Sequence, residues 1–428
     1  MRRDPLVPGS GGRPHWDSAP VGADERIVAL DFIRGFAVLG IVFANIVAFS
    51  QVHLAYSWPG ALGQPMDRVD TGVWLVQFVL IDGKMRGLFT LLFGAGMALF
   101  MDRAWDHGQT LWLQVRRLLW LGAFGLVHFL FLFWGDILFL YAEAGLLAVP
   151  FLRLDARPLL AIGLVWYVVG ALYLAVPYAG VVELEQSGPA RQAAPADYRA
   201  IASDWDRTLR EASAERAAYT AHSYAAELDF VARYRAPAAL GIPWFALFET
   251  VPLMLIGMAL YRCGLFAGAF GRTTLRRWGW AGVAAGTALT LPLALWAMGR
   301  SFPPYLTRFL AEDASQLPHL PTILGYAALL TALAPTAAKG WLGLRLAAAG
   351  RMALSNYIGT SIVMLLLFRS WAGGLFGTLG RAELLLPVLF AWVLMLAWSK
   401  PWLDRFRYGP LEWLWRCLTY RRLFRFRW

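Results

Sequence analysis

Apolar runs about as long as a bilayer is thick recur along this 428-residue chain. Roughly 20 apolar residues in a helix cross the ~30 Å of hydrocarbon in a membrane. Ten stretches read this way: 27–50, 86–102, 112–134, 136–153, 158–182, 239–262, 277–299, 318–338, 347–370 and 383–402. A soluble core could not hide so much apolar surface. The chain is 58% hydrophobic and 16% charged, where soluble domains carry roughly 25% charge. Backbone polar groups in lipid must be satisfied within the segment, which leaves helices as the economical solution for runs of this length. The expected fold is therefore all-α and integral to the membrane, with about ten transmembrane helices. The stretch 72–81 is apolar but too short to span alone. It is read as a re-entrant or interfacial lead-in to the second helix, ended by Asp82, Gly83, Lys84, Met85 and Arg86.

Arginines orient these helices. Basic residues gather in alternate loops: Arg103, Arg116 and Arg117; Arg153 and Arg157; Arg262, Arg272, Arg276 and Arg277; Lys339, Arg345 and Arg351. The tail 404–428 is arginine-rich as well. Cytoplasmic loops carry this bias, so both termini are expected in the cytoplasm. The bias also accounts for the net charge of +11 without nucleic acid as a partner.

The domain reading follows. Residues 1–25, rich in Pro, Gly and charge, are expected to be a disordered cytoplasmic tail without the apolar core of a signal peptide. Residues 26–182 form a first bundle of five helices, 183–238 a small helical extracytoplasmic cap, 239–403 a second bundle of five, and 404–428 a basic cytoplasmic tail. Cys263 and Cys417 lie beside basic segments, where thiols stay reduced, and neither has metal-site spacing, so no disulfide and no metal are expected.

Ionisable groups within spans are functional candidates, because hydrocarbon penalises charge. On the first helix Asp31 and Arg34 are three apart and share a face. Arg34 and Asn45 are eleven apart, about three turns, so one polar stripe runs along the helix. Arg34 snorkelling to the interface is the plainer reading. His128 sits among apolar and aromatic residues before the reversal at Trp134-Gly135, and Asp136 and Glu143 follow. A histidine oriented by a carboxylate is a general base; a helix-capping Asp136 is the plainer reading. His53 follows the first helix on the outer side. His53, Tyr141 and Glu143 are candidates for binding an acceptor. Lys84, Arg86 and Arg351 suit phosphate groups, and Gly350 to Tyr357 reads as a helix start whose amides could add to an anion site. No nucleotide loop, zinc spacing or Gly-x-Ser-x-Gly elbow occurs, so a serine nucleophile has no support from motifs.

Five segments together resemble a known bacterial family: RIVALDFIRGFAVLGIVFAN from Arg26, LFTLLFGAG from Leu88, GLVHFLFLFWGDILFLYA from Gly125, GRMALSNYIGTS from Gly350 and GPLEWLWRCLTY from Gly409. In this order they resemble the YeiB-like membrane family, the domain of unknown function 418, over nearly all of the chain beyond residue 25. That family is more distantly similar to a transmembrane acyltransferase superfamily, which includes the acyltransferase-three proteins and the heparan-glucosaminide acetyltransferase. Such proteins take an acyl group from a cytoplasmic thioester to an acceptor beyond the membrane. The acyltransferase-three signature is Arg, ten residues, then His. Here Arg34 is followed at that spacing by Asn45, as in the heparan type, so the base moves elsewhere.

The resemblance implies an acyltransferase of the bacterial cytoplasmic (inner) membrane, passing an acyl group from acyl-CoA to an extracytoplasmic hydroxyl or amine. His128 would be the base, with His53 the second candidate, Asp136 its orienting carboxylate, and Asn45 a contact for the thioester carbonyl. Arg34, Lys84, Arg86 and Arg351 would hold the donor, with no tightly bound cofactor. The partners are lipid and two small molecules, and a homo-oligomer is left open. The alternatives are a transporter of a small organic solute, which would carry flux without a donor, and a non-enzymatic envelope protein.

Overall fold

A computed structural model describes residues 28–237 and 246–428. The expectation for residues 1–25 lies outside them, as does the beginning of the span expected from 239. In chain order the helices are α1 (Val28–Ser50), α2 (Leu54–Ser57), α3 (Arg68–Leu80), α4 (Lys84–Asp106), α5 (Leu111–Phe131), α6 (Leu138–Ala148), α7 (Ala156–Gln186), α8 (Gly188–Ala193) and α9 (Pro195–Tyr219). There follow α10 (Tyr224–Phe230), α11 (Val251–Arg262), α12 (Arg272–Gly299), α13 (Pro304–Phe309), α14 (Gln316–Ala337), α15 (Trp341–Arg351), α16 (Ala353–Phe368), α17 (Leu385–Arg405) and α18 (Pro410–Tyr420). Apart from one isolated bridge between Phe406 and Arg427, the described residues hold no β-structure.

Among the described residues six helical segments are long and apolar enough to cross a membrane, and a bent pair makes a seventh. Within the described residues, nine of the ten expected spans each fall on one helix. Those at α5, α6 and α11 fall outside this stricter set. Two expectations change. The stretch 72–81 belongs to α3, which runs on into α4 across a turn at 81–83, the pair making one run of 39 residues. Gly83 makes that turn at φ +71°, and the His319 ring packs where a side chain would stand. The span expected at 347–370 is not one helix: α15 and α16 meet at Met352 with a bend of 88°. Gly350 and Arg351 end α15, so α16, not the Gly350 motif, begins the helix there.

α1 is the axis of the bundle. Of its apolar stretch 78% is buried, against 28% for α7, 22% for α12 and 28% for α17. Those outer helices turn Val165, Val176, Trp280, Leu386 and Val393 outward, the surface a lipid solvent tolerates. Small residues bring backbones close, as lipid-embedded helices require in place of a hydrophobic drive. A Cβ on Gly35 would fall 1.9 Å from Leu346 O, and one on Gly350 would fall 1.9 Å from Asp31 O, so α1 and α15 cross glycine on glycine. α4 meets α11 likewise at Gly94 and Gly257.

The stretch expected to be a helical cap is helical, as α8 to α10, and sits at the Ser50 end of α1, where His53 N donates to Glu215 Oε2 at 3.0 Å. The segment expected as a basic tail contains α18, which docks at the opposite end, beside the first turns of α1 and the start of α16. Residue 210 and the C-terminal segment thus lie at opposite ends of the bundle.

Candidate functional site

The hairpin of α5 and α6 builds the centre. Gly125 lets the helices touch: a Cβ there would lie 2.2 Å from Phe139 N. His128 stands in the last turn of α5, and its carbonyl accepts both the Leu132 and the Phe133 N–H at 2.9 Å, closing the helix. Asp136 follows the reversal. Its Oδ2 accepts the Phe139 N–H at 2.5 Å in the first turn of α6, so the capping role holds. Its Oδ1 lies 2.7 Å from His128 Nδ1, an ion-pair separation off the axis of a hydrogen bond. The other ring nitrogen, Nε2, is 2.8 Å from Ser361 Oγ on α16. All three side chains are buried. Two lone pairs 2.7 Å apart would repel, so this contact calls for a hydrogen between Nδ1 and Oδ1. With that hydrogen on Nδ1, Nε2 offers its lone pair to the Ser361 hydroxyl.

Tyr357, one turn before Ser361, connects this centre to a cavity. Its ring lies 5.0 Å from the His128 ring, and its hydroxyl accepts the Ile137 N–H at 3.2 Å. The cavity, about 140 Å³, has Tyr357, Ile137 and Tyr141 at one end and Arg34, Arg117 and Arg351 at the other, with Phe89, Leu92 and Phe93 between. Arg117 and His128 are eleven residues apart on one helix, which is about 16 Å of rise. Arg117 is sandwiched between Phe100 and Trp415, 4.4 Å from each ring. Arg34 bonds Asp31 at 3.1 Å, and Arg351 donates to Arg407 O at 3.4 Å. Glu412 and Trp415 of α18 close the arginine end.

The other side of the centre faces the cap. Trp134, in the reversal, meets the His53 ring edge-on at 4.2 Å, and the Arg235 guanidinium lies 4.4 Å above the Trp134 ring. Arg235 also bonds Glu215 at 3.3 Å. Among the described residues four buried polar atoms here have no hydrogen-bond partner: His53 Nδ1, Trp134 Nε1, Glu215 Oε1 and Arg235 Nε. Burial, then Arg235 and Arg308, push the His53 imidazole down to about 3. Burial holds the Glu215 carboxyl above its ordinary range.

Against the sequence expectations, the structure joins His128 with Asp136 and puts Arg34, Arg351 and Tyr141 on one cavity. It separates the rest. Asn45 is half-buried and is not among the residues lining the cavity. Lys84 and Arg86 stand at the far end of α4. Gly96 of α4 faces Arg34, while Met85 packs on Gly40, and twelve residues of helix between Gly96 and Lys84 are about 18 Å. Lys84 is buried and donates to Phe78 O at 2.5 Å, and Arg86 pairs with Glu249 at 2.9 Å. These two therefore stand apart from the arginine end of the cavity. Glu143 is half-buried and takes no part in the contacts of His128. The amides expected to hold an anion beside Arg351 are taken: Glu412 Oε1 accepts Leu354 N at 2.8 Å and Ser355 N at 3.0 Å. The sequence alone gives Ser361, Glu412 and Glu215 no role, and Arg117 only one in topology. Ser361 lies within the quoted GRMALSNYIGTS segment, but nothing local ties it to a histidine 233 positions away.

A family model described as "Protein of unknown function (DUF418)" matches residues 260–422, the part holding Arg351, Tyr357, Ser361 and Glu412. A protein of Escherichia coli (strain K12), "Uncharacterized protein YeiB", is 35% identical over 406 residues, which is 93% of this chain and 97% of that protein. The chain belongs to the YeiB family. A Bacillus subtilis (strain 168) relative, "Uncharacterized protein YxaH", is 28% identical over 436 residues, 94% of this chain and 96% of its own. A Bacillus acidopullulyticus protein, "Uncharacterized 39.9 kDa protein in amylase 3'region", is 28% identical over 411 residues, covering 95% and 97%. No solved structure matches. Relatives of this family are bacterial, and the multiple apolar helices make this member a multi-pass membrane protein.

Proposed function

We propose that the protein is a membrane acyltransferase that moves an acyl group from cytoplasmic acyl-CoA to a hydroxyl or amine acceptor outside the cell membrane. The observation that carries this reading is the cavity running from Arg34, Arg117 and Arg351 to the Tyr357 wall behind which His128 and Asp136 stand. Three guanidiniums suit the phosphates of a coenzyme A donor. The apolar middle suits its acyl arm. A cavity of about 140 Å³ is too small for the nucleotide, which would stay at the arginine mouth. The acyl group would be short, since a single water already occupies about 30 Å³. His128 is the general base, and Asp136 holds its charge. In this reading ten helices span the bacterial cytoplasmic (inner) membrane, both termini face the cytoplasm, and α8 to α10 face outward over the cluster of His53, Trp134, Glu215 and Arg235, where the acceptor approaches.

The test is thiol release from acetyl-CoA by purified protein in nanodiscs. Expected is release that falls at least 100-fold in His128→Ala, the scale of general-base catalysis, with the melting temperature little changed. Undiminished turnover in that variant would remove the mechanism.

Transport of a small organic solute is favoured by one feature, the break between α15 and α16, because broken helices build transporter sites. The free amides that such a break offers a substrate are already held by Glu412, which weighs for the enzyme. Solute flux into proteoliposomes without any donor would reverse that choice.

A further inference from the structure

We infer that Ser361 carries the acyl group as an ester between two half-reactions; this rests on the acyl-transfer reading above. Ser361 Oγ, the His128 ring and the Asp136 carboxylate stand in series at 2.8 and 2.7 Å, supplied by α16, α5 and the reversal after α5. A packing histidine needs one partner. Here one ring nitrogen meets a hydroxyl and the other lies at ion-pair distance from a carboxylate, the neighbours that activate a serine. Ser361 Oγ also lies 3.2 Å from Tyr357 O. It has a single proton, and the shorter contact directs that proton to the imidazole.

The placement of the series argues for two steps. Tyr357 separates it from the arginine cavity, and Phe133 separates it from Trp134 and the cap. Phe133 is buried, 6.3 Å from the His128 ring and 6.3 Å from the Trp134 ring. A single-step transfer needs donor and acceptor together against His128, whose ring has Tyr357 at 5.0 Å and Phe133 at 6.3 Å. An acyl-serine needs only one at a time.

In the first half-reaction the Tyr357 ring turns aside and Ser361 Oγ attacks the thioester carbonyl, while His128 Nε2 takes the hydroxyl proton. The tetrahedral adduct expels the thiolate, which takes that proton from the imidazolium and leaves as the thiol. An oxygen ester on Ser361 remains. In the second, the acceptor hydroxyl or amine loses its proton to Nε2 and attacks the ester. The Ser361 alkoxide departs and recovers the proton. No oxidant, reductant or metal is consumed.

The test uses full-length protein in nanodiscs with acetyl-CoA and radiolabelled coenzyme A, without acceptor. An acyl-serine predicts label exchange between the two, and an acetyl group on the Ser361 peptide after denaturation with labelled acetyl-CoA. Ser361→Ala should lose both, at least 100-fold, and His128→Ala likewise. Ser361→Cys should trap the acyl group as a thioester that neutral hydroxylamine removes, which shows the site intact even if the alanine variant folds poorly. Thiol release that depends on His128 but persists in Ser361→Ala, with no exchange, overturns the acyl-serine and leaves the acyl-transfer reading standing. No label exchange and no acetylated Ser361 peptide in the unaltered protein overturn the acyl-serine alone; no thiol release even with added amine and hydroxyl acceptors such as glucosamine and glycerol overturns the acyl-transfer reading as well.

Discussion

Glu412 Oε2 lies 2.5 Å from Ser355 Oγ, and through that carboxylate α18 is fastened to the first turn of α16. Glu412 also accepts the Leu354 and Ser355 N–H groups. Burial raises its carboxyl above the ordinary range, and these donors pull it back. Removing it leaves three donors without an acceptor. Unmade bonds of this kind cost about 1–3 kcal/mol each where water cannot reach. Because α18 lies at the bundle end, some water would enter, and Glu412→Ala should cost about 2 kcal/mol in all. Glu412→Gln keeps the acceptor oxygen for both amides and should cost less than about 1 kcal/mol. Thermal melting in detergent separates the two.

The crossing of α1 and α15 predicts a sharp contrast between glycines. At Gly350 a Cβ would meet Asp31 O at 1.9 Å and Gly35 N at 2.6 Å, both backbone atoms that cannot swing away. Gly350→Ala should force the helices apart and cost about 3 kcal/mol, the upper part of the usual overpacking range. Gly359, on α16, has nothing within 4 Å. Gly359→Ala should leave stability unchanged or raise it by up to about 1 kcal/mol through helix propensity. Expression level and melting temperature of the pair report the difference.

If the three arginines hold phosphates, their loss should weaken the donor without slowing the chemistry. Arg34→Gln or Arg117→Gln removes a charge-assisted contact of about 1.5 kcal/mol, so KM for acetyl-CoA should rise about tenfold with kcat nearly constant. Acetyl-pantetheine, which lacks the phosphates, should show no such difference. An equal rise for both donors would mean that the arginines act on packing alone. Arg86→Gln, at the far end of α4, should leave the ratio of the two donors unchanged.

The apolar helices are legible because their signal, apolar length, is local to each segment. The His128–Asp136 pair was legible for a related reason, since eight residues and one reversal bring them together. The site otherwise depends on crossings that no local pattern encodes. Ser361 reaches His128 because α16 turns through 88° after α15, and hydropathy runs unbroken through that bend. Arg117 was read as a topology charge because a cytoplasmic arginine needs no further reason; its partners Phe100 and Trp415 come from distant helices. Lys84 and Arg86 were grouped with Arg34 on charge alone, although α4 runs antiparallel to α1 and carries them to the other end.

The cap should respond to pH through His53. Its imidazole is pushed from 6.5 to about 3, first by burial and then by Arg235 and Arg308. Between those values the unfolded chain binds a proton that the folded one refuses. Stability from this group is therefore complete above about 6.5 and is lost as pH falls toward 3. His53→Asn cannot titrate there, so its melting temperature should fall less steeply between pH 6.5 and 4 than that of the unaltered protein. Parallel curves would show that His53 is solvated rather than locked between Trp134 and the Glu215–Arg235 pair. Cysteine labelling at position 210 gives the companion measurement. A membrane-impermeant maleimide should reach that position in intact cells and fail to reach one placed in α18, because the two lie at opposite ends of α1.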